Sequence, residues 1–417
     1  MFSRPRTTGR SNLKSSAGTS AHTGPLTLPH VKPAVPTRQS STVSPTLVSA
    51  RKATIVSPRP AVAENTQAVR TSFRIALFSA KPYDRRNFSR EVSASTAQVG
   101  VTIDYHDVSL SPSTAQLATG ADAVCIFVND DGSAASLRAL HAVGVRMVLL
   151  RCAGFDRVDL ACARELEMPV MRVPRYSPAA IGEHAVALIM ALTRRIPLAY
   201  NRVRQFNFSL EGLQGFDVCR KTVGIVGTGA TGRVAAQIMT GFGSEVLMYD
   251  PFPDNALAAR LSSFGRASYV PLNEVLERSD IISLHVPLSP ATKHMIDAGT
   301  IAKMKTGVML INTSRGGLLD TAAVVEALVS RKIGYLGIDV YENESEYFFE
   351  DRSQDMMADP LLARLVTFPN VVITAHQAFM TDEAMLSIAR VTLENVETFL
   401  GGHAQGHANE LAFNKSA

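Results

Sequence analysis

Short apolar runs alternate with amphipathic stretches along the chain from about Phe73 onward. Three runs, FRIALF (73–78), AVCIF (123–127) and RMVLLRC (146–152), are nearly continuous and β-rich, as expected of parallel strands buried on both faces. Helical patterning lies between them. After RVPRYSP a further helix is expected from near Ala179, following the break at Pro178. The stretch TVGIVGTGATGRVAAQIMTGFGSEVLMYD (222–250) runs from an apolar strand into a glycine turn, a helix pattern and a second strand that ends on an acid. More βα units follow at DIISLHVP, GVMLINTSRGG and KIGYLGIDVYE, and one more apolar strand precedes TAHQAFMT. This alternation predicts an α/β architecture with mostly parallel sheets. The longest apolar helical run, AVALIMAL, is far shorter than the ~18 residues that span a bilayer.

The glycine turn reads Gly227-Thr228-Gly229-Ala230-Thr231-Gly232, and Asp250 ends the next strand 18 residues later. Glycines alone are a weak signal. Strand, glycines, helix, strand and terminal acid in that order predict a dinucleotide site rather than a purely structural turn. Gly227 allows the tight turn, Gly229 lets a pyrophosphate approach the amides of the helix N-terminus, and Gly232 lets helix and strand pack closely. Asp250 can accept ribose hydroxyls and would repel a 2′-phosphate. No arginine follows in PFPDNALAA to receive one, so NAD(H) is expected over NADP(H). Ligands bind at the carboxyl ends of strands in such sheets. That adds His285, Val286, Pro287, Thr313, Ser314 and Asp339 to the candidate cofactor residues.

Charged candidates follow the later strands. Arg315 sits among small residues in NTSRGG, where an arginine can clasp a carboxylate at two points or simply cap a loop. GIDVYENESEYFFEDRS holds Asp339, Glu342, Glu344, Glu346 and Glu350, most of them readable as solvated charges, and composition does not choose among them. His376, at a strand end, is by itself more often a structural histidine than a proton donor.

Composition changes the picture at one end. The net charge is +5, yet residues 1–63 carry no acid and nine Lys and Arg, so the rest of the chain is slightly acidic and no nucleic-acid partner is implied. That first segment is rich in Ser, Thr and Pro and lacks an apolar h-region. Basic, Ser-rich and acid-poor is the pattern of an organelle transit peptide, preferred over a disordered cytosolic tail. A plastid is preferred over a mitochondrion because no amphipathic helix is evident. VSA before Arg51 and AVA before Glu64 are candidate processing sites. Cys125, Cys152, Cys162 and Cys219 show no CxxC or metal-ligand spacing, and no metal is expected. Cys152 lies beside the RCAGF loop. It is either an ordinary buried thiol or one whose alkylation would block activity.

From about Phe73 onward the chain resembles the D-isomer-specific 2-hydroxyacid dehydrogenases. Within them it is most similar to the NAD-dependent D-lactate dehydrogenases of the fermentative bacterial type. The matching motifs are LLRCAGFDRVD, PRYSPAAIGEHAVAL, VGIVGTGATG, DIISLHVPL, MLINTSRGGLLD, DVYENESEYFFEDRS and TAHQAFMT. The family's catalytic Arg, Glu and His fall on Arg315, Glu344 and His376, with no departure at these positions. The intervals of 29 and 32 residues fit the lactate-type branch, because relatives acting on glyoxylate, hydroxypyruvate or phosphoglycerate have a shorter stretch before the histidine.

The resemblance implies that charged His376 protonates the keto oxygen while NADH delivers hydride, with Glu344 favouring the charged imidazole. It implies that Arg315 and the amides of Ala153 and Gly154 hold the substrate carboxylate. Tyr176 would contact substrate, and Phe127 and Phe379 are candidates for the wall around its methyl group. It also implies two doubly wound, mostly parallel domains, a flavodoxin-like substrate domain and a Rossmann-type cofactor domain. The first would span 71–174 and 377–417, the second 175–376, after a leader of 1–70, with a cleft that closes on substrate. A small 2-keto acid is the expected partner, in a homodimer or homotetramer without nucleic acid or membrane. Bulkier 2-keto acids are the alternative substrates. Some superfamily members instead sense NAD(H) as co-repressors that bind peptides, a class that fold alone does not exclude.

Overall fold

The computed structural model describes residues 72–94 and 100–413, which belong to one compact unit. The leader and its processing sites lie outside the described residues. Two all-parallel sheets organise the chain. The first contains β1 (Ser72–Leu77), β2 (Gly100–Tyr105), β3 (Ala123–Ile126), β4 (Met147–Leu150) and β5 (Val170–Arg172), in the order β2-β1-β3-β4-β5. This is the flavodoxin-like order. β3 and β4 are buried at every position, which explains their unbroken apolar sequences.

The second sheet has seven strands: β6 (Thr222–Val226), β7 (Glu245–Tyr249), β8 (Arg266–Tyr269), β9 (Ile281–Leu284), β10 (Val308–Asn312), β11 (Ile333–Ile338) and β12 (Val371–Ile373). Their order is β12-β11-β10-β9-β6-β7-β8. The strand order reverses between β6 and β9, so a crevice opens at their carboxyl ends, where the glycine turn and His285 lie.

The chain passes between the sheets twice. After β5, the helix Pro178–Thr193 is capped by Ser177, whose Oγ accepts the Ala180 amide at 3.2 Å. It starts on Pro178 itself, one residue before the expected Ala179, because proline at a first helical position loses no hydrogen bond. Ala185, Leu188, Ile189 and Leu192 of this helix pack into the core of the second sheet. Gly182 meets the helix Ala230–Gly241 so closely that a Cβ there would lie 2.7 Å from Val234. After β12 the chain returns through the helix Asp382–Leu400, whose Ala389, Leu393 and Val396 join Phe73, Ile75 and Leu77 beneath the first sheet. The last described residues also join that sheet: the Arg172 amide donates to Asn409 and the Leu411 amide to Val170.

Candidate active site

Gly227 has φ +92°, and a Cβ on it would lie 2.6 Å from the His285 carbonyl oxygen, so only glycine makes this turn. A Cβ on Gly232 would fall 1.9 Å from the Gly227 carbonyl oxygen. Gly229 differs: a Cβ there would meet nothing within 4 Å, and it caps the helix Ala230–Gly241. The turn is therefore tight on its protein side and open at the helix N-terminus, beside Ala230 and Thr231, as a pyrophosphate requires. Asp250 holds the turn from the next strand, its Oδ2 accepting the Thr228 amide at 2.7 Å and the Thr228 hydroxyl at 3.1 Å. Across the crevice the Thr313 hydroxyl is buried without a hydrogen-bond partner, and Ser314 donates to the Val286 carbonyl at 2.5 Å, next to exposed Pro287. An open glycine cradle and an unpartnered pocket hydroxyl fit a dinucleotide cofactor.

A cavity of about 160 Å³ lies between the sheets. It is lined from the first sheet's loops by Phe127, Ala153, Gly154 and Tyr176, and from the second sheet's loops by Thr231, His285, Thr313, Ser314, Arg315, His376 and Phe379. Arg315 follows β10 in a loop folded around Asn312, whose Nδ2 donates to the Arg315 carbonyl at 2.8 Å and whose Oδ1 accepts the Ser314 amide at 3.0 Å. The guanidinium reaches the other sheet. Nε donates to Asp156 at 3.1 Å, and a Cβ on Gly154 would lie 2.2 Å from Nη2.

His376 Nδ1 donates to Glu344 Oε1 at 2.8 Å, with both side chains 15 % exposed. The other Glu344 oxygen accepts the Tyr341 amide at 3.1 Å, which fixes the carboxylate beneath the ring. With Nδ1 engaged, Nε2 is left for a ligand. The second pocket histidine, His285, is pushed down to about 4 by burial and stays neutral at physiological pH. Burial likewise pushes the Tyr176 phenol up to about 12, so it remains a hydroxyl donor.

Asp339 departs from expectation. It is fully buried and does not line the cavity. Its Oδ1 accepts the Thr374 hydroxyl at 2.5 Å and the Gln377 amide at 2.8 Å, while Oδ2 accepts the Ala378 amide at 2.9 Å. Burial alone would raise its carboxyl. Hydrogen bonds from His184, Thr374 and those amides outweigh burial and hold it below the usual carboxylate range. Asp339 thus anchors the His376 loop from within the protein. Cys152 also lines the cavity, and burial pushes its thiol up to about 12, which keeps it protonated at neutral pH.

Sequence reasoning assigned no site role to Arg151, Val128, Ile181 or Ile388, all of which line the cavity, or to Asp156 and Phe349. Arg151 stands inside the quoted LLRCAGF motif, so adjacency to the carboxylate loop was the available signal. Asp156 and Phe349 become visible only through contacts between distant segments.

Fold and site together define an NAD-binding α/β dehydrogenase in which Arg315 and the Glu344-bonded His376 face one cavity between the two sheets. Residues 186–378 match the family model described as D-isomer specific 2-hydroxyacid dehydrogenase, NAD binding domain. The chain is 46 % identical over 329 residues to a D-lactate dehydrogenase of Escherichia coli, covering 79 % of this chain and 97 % of the relative. It is 47 % identical over 329 residues to a 2-hydroxyacid dehydrogenase homolog of Haemophilus influenzae, with the same coverage of each chain. Among solved structures, that of the pyruvate reductase of Chlamydomonas reinhardtii matches with a TM-score of 0.73 and 42 % identity, over 80 % of this chain and 97 % of that one. The protein belongs to the D-isomer-specific 2-hydroxyacid dehydrogenases.

Proposed function

We propose that the protein reduces pyruvate to D-lactate with NADH, reversibly. The observation that carries this reading is the Glu344–His376 pair, which opens on the same cavity as Arg315. The relatives named D-lactate dehydrogenase and pyruvate reductase support the substrate.

Arg315 and the amides of Ala153 and Gly154 hold the substrate carboxylate, and the forked guanidinium fixes its plane. Phe127, Tyr176 and Phe379 enclose the methyl side; Phe379 stands 6.0 Å from Phe127 and 6.3 Å from Tyr176, centroid to centroid. The glycine turn and Asp250 would hold NADH, which would supply the hydride. The carbonyl π pair moves onto oxygen, which takes the proton from His376 Nε2. Glu344 balances the positive charge of the imidazolium until the proton is transferred and keeps the ring in place. Lactate oxidation reverses each step and begins with neutral His376.

Steady-state kinetics on a panel of 2-keto acids with NADH and NADPH, followed by chiral analysis of the product, test this reading. NADH-dependent turnover of pyruvate to D-lactate is expected. Its absence, or L-lactate as product, would overturn the proposal, and binding of NADH without turnover would favour the sensing class.

The leader supports import into the chloroplast, to be tested by fusing residues 1–50 to a fluorescent protein; a diffuse cytosolic signal would sink it. Assembly as a homodimer or homotetramer is supported by Ile196, Tyr200 and Val203, on one face of the helix Ile196–Arg204, followed by Phe206, Phe208 and Leu210. All six are more than half exposed. Light scattering of the purified protein reads the mass directly, and a monomer would contradict it.

A further inference from the structure

The segment after Glu344 reaches out of the second sheet and touches the first. Phe348 is buried in the core of the second sheet, while the next side chain, Phe349, packs both against that core and against the border cluster of Val173, Phe379, Met385 and Ile388. To do so Phe349 adopts φ +70°, a left-handed conformation that bulky residues rarely occupy. Its ring meets Phe127 edge-on at 5.1 Å and 80°, and lies 5.7 Å from the His376 imidazole. The following residue, Glu350, accepts from Lys81 Nζ at 2.9 Å, an ion pair across 269 positions of sequence.

Phe349 does not itself line the cavity; Phe127 and His376 do. Phe127 is held on several sides, by the Arg151 guanidinium 4.9 Å from its centroid, by Phe379, and by the edge of Phe349. Arg151 is buried beside Asp84, and Phe379 is buried in the border cluster. Phe349, by contrast, is only partly buried, and the residue after it is held by an ion pair whose carboxylate is 58 % exposed. It is the support of Phe127 that can yield.

We propose that Phe349 is a specificity-determining positioning residue: by propping Phe127 against the cavity it limits the side chain of the 2-keto acid to about the size of a methyl group, and the Lys81–Glu350 pair holds the prop in place. This rests on the reading under Proposed function and adds which residue excludes branched 2-keto acids. Removing the ring lets Phe127 turn into the vacated space and enlarges the methyl side, while the Arg315 clasp and the Glu344–His376 pair keep their own bonds.

The test compares kcat/KM for pyruvate and for 4-methyl-2-oxopentanoate in the parent, Phe349→Ala, Phe349→Leu and Lys81→Met, with NADH binding followed by fluorescence. In Phe349→Ala the ratio of branched to unbranched substrate should rise about tenfold or more, the scale on which a pocket discriminates one or two methylenes. The rise should come through a lower KM for the branched acid. Phe349→Leu, which refills most of the volume, should return towards the parent. Lys81→Met, at a partly buried position outside the cavity, should move the ratio the same way by a smaller factor, and it serves if Phe349→Ala does not fold. A parent that does not reduce pyruvate overturns the functional reading itself. A parent that does, with the ratio unchanged in the variants that bind NADH, overturns the role of Phe349 alone.

Discussion

Asp339 holds the backbone on which His376 stands. Its carbonyl accepts the His376 amide at 2.6 Å, and its carboxylate takes the amides of the two residues that follow. His376 has φ +52°, a conformation that needs such support. Asp339→Asn keeps one acceptor oxygen and leaves a buried amide without a partner, which should cost about 1–3 kcal/mol. The depressed carboxyl sets the pH window. A group whose pKa is lower folded than unfolded stabilises fully above the unfolded value, ~3.9, and the gain is lost as pH falls through the folded value. The difference in Tm between parent and variant should therefore be largest near neutrality and narrow below about pH 4. An equal difference at every pH would mean that the charge on Asp339 contributes nothing.

His376 and Glu344 should govern the two reaction directions oppositely. Reduction needs a charged imidazole and fades as pH rises; oxidation needs a neutral one and fades as pH falls. Because His285 titrates only near 4, it cannot produce a limb in the neutral range. His376→Ala should lower kcat/KM at least ~10²-fold. Glu344→Gln keeps a hydrogen-bonding shape but removes the carboxylate that holds the ring, so kcat/KM for pyruvate should fall, by a smaller factor than in His376→Ala. Parent-like kinetics in Glu344→Gln would separate the acid from the histidine in function despite their 2.8 Å contact.

Arg315→Gln should raise KM for pyruvate and lower kcat/KM by ~10²-fold or more, about 3 kcal/mol, because the carboxylate loses a charged two-point partner. NADH affinity should hold. Arg315→Lys should not rescue, since an ammonium cannot form the fork. Asp156→Ala leaves the fork intact but frees Nε, so a milder rise in KM is expected. Unchanged pyruvate kinetics in Arg315→Gln would reduce the residue to a loop cap.

Cys152 and Cys125 are both pushed up to about 12, so at pH 8 only ~10⁻⁴ of either is thiolate, and the thiolate is the nucleophile. Cys219 is exposed. Iodoacetamide should therefore label Cys219 first, seen by peptide mass, while activity persists. Inactivation in step with labelling at Cys152 would contradict the burial argument.

The central strands were legible because both faces are covered. β3, β4, β6, β9 and β10 are almost wholly buried and read as unbroken apolar runs. β2, β5 and β8 were not read. GVTIDY and RASY are edge strands with half-exposed alternation, and VMR is only three residues long. Arg315, Glu344 and His376 were legible through resemblance to the family's motifs, since composition alone did not choose among the acids after β11. The roles of Asp339 and Phe349 depend on where neighbouring loops turn, which is settled by packing between segments far apart in sequence. An acid at a strand end is expected to face ligand until the path of the next loop shows that its oxygens are already occupied.

Cofactor choice turns on Asp250, which is less free than its position suggests. Oδ2 already accepts twice from Thr228 and Oδ1 accepts the Phe252 amide at 2.9 Å. A carboxylate has about four acceptor sites, so capacity remains for ribose hydroxyls, while the full negative charge still opposes a 2′-phosphate. Arg233 stands near the turn, but it donates to the Gly229 carbonyl at 3.3 Å and lies 3.6 Å from Asp254. A free cation is therefore not presented to NADPH by that side chain. NADH should be preferred by more than ~tenfold in kcat/KM, about 1.4 kcal/mol. Asp250→Ala should narrow the preference chiefly by weakening NADH, because the Thr228 amide and hydroxyl that shape the glycine turn lose their acceptor. Asp254→Ala would release Arg233 and should improve NADPH without harming NADH. Equal use of both cofactors by the parent would mean that Asp250 serves the turn alone.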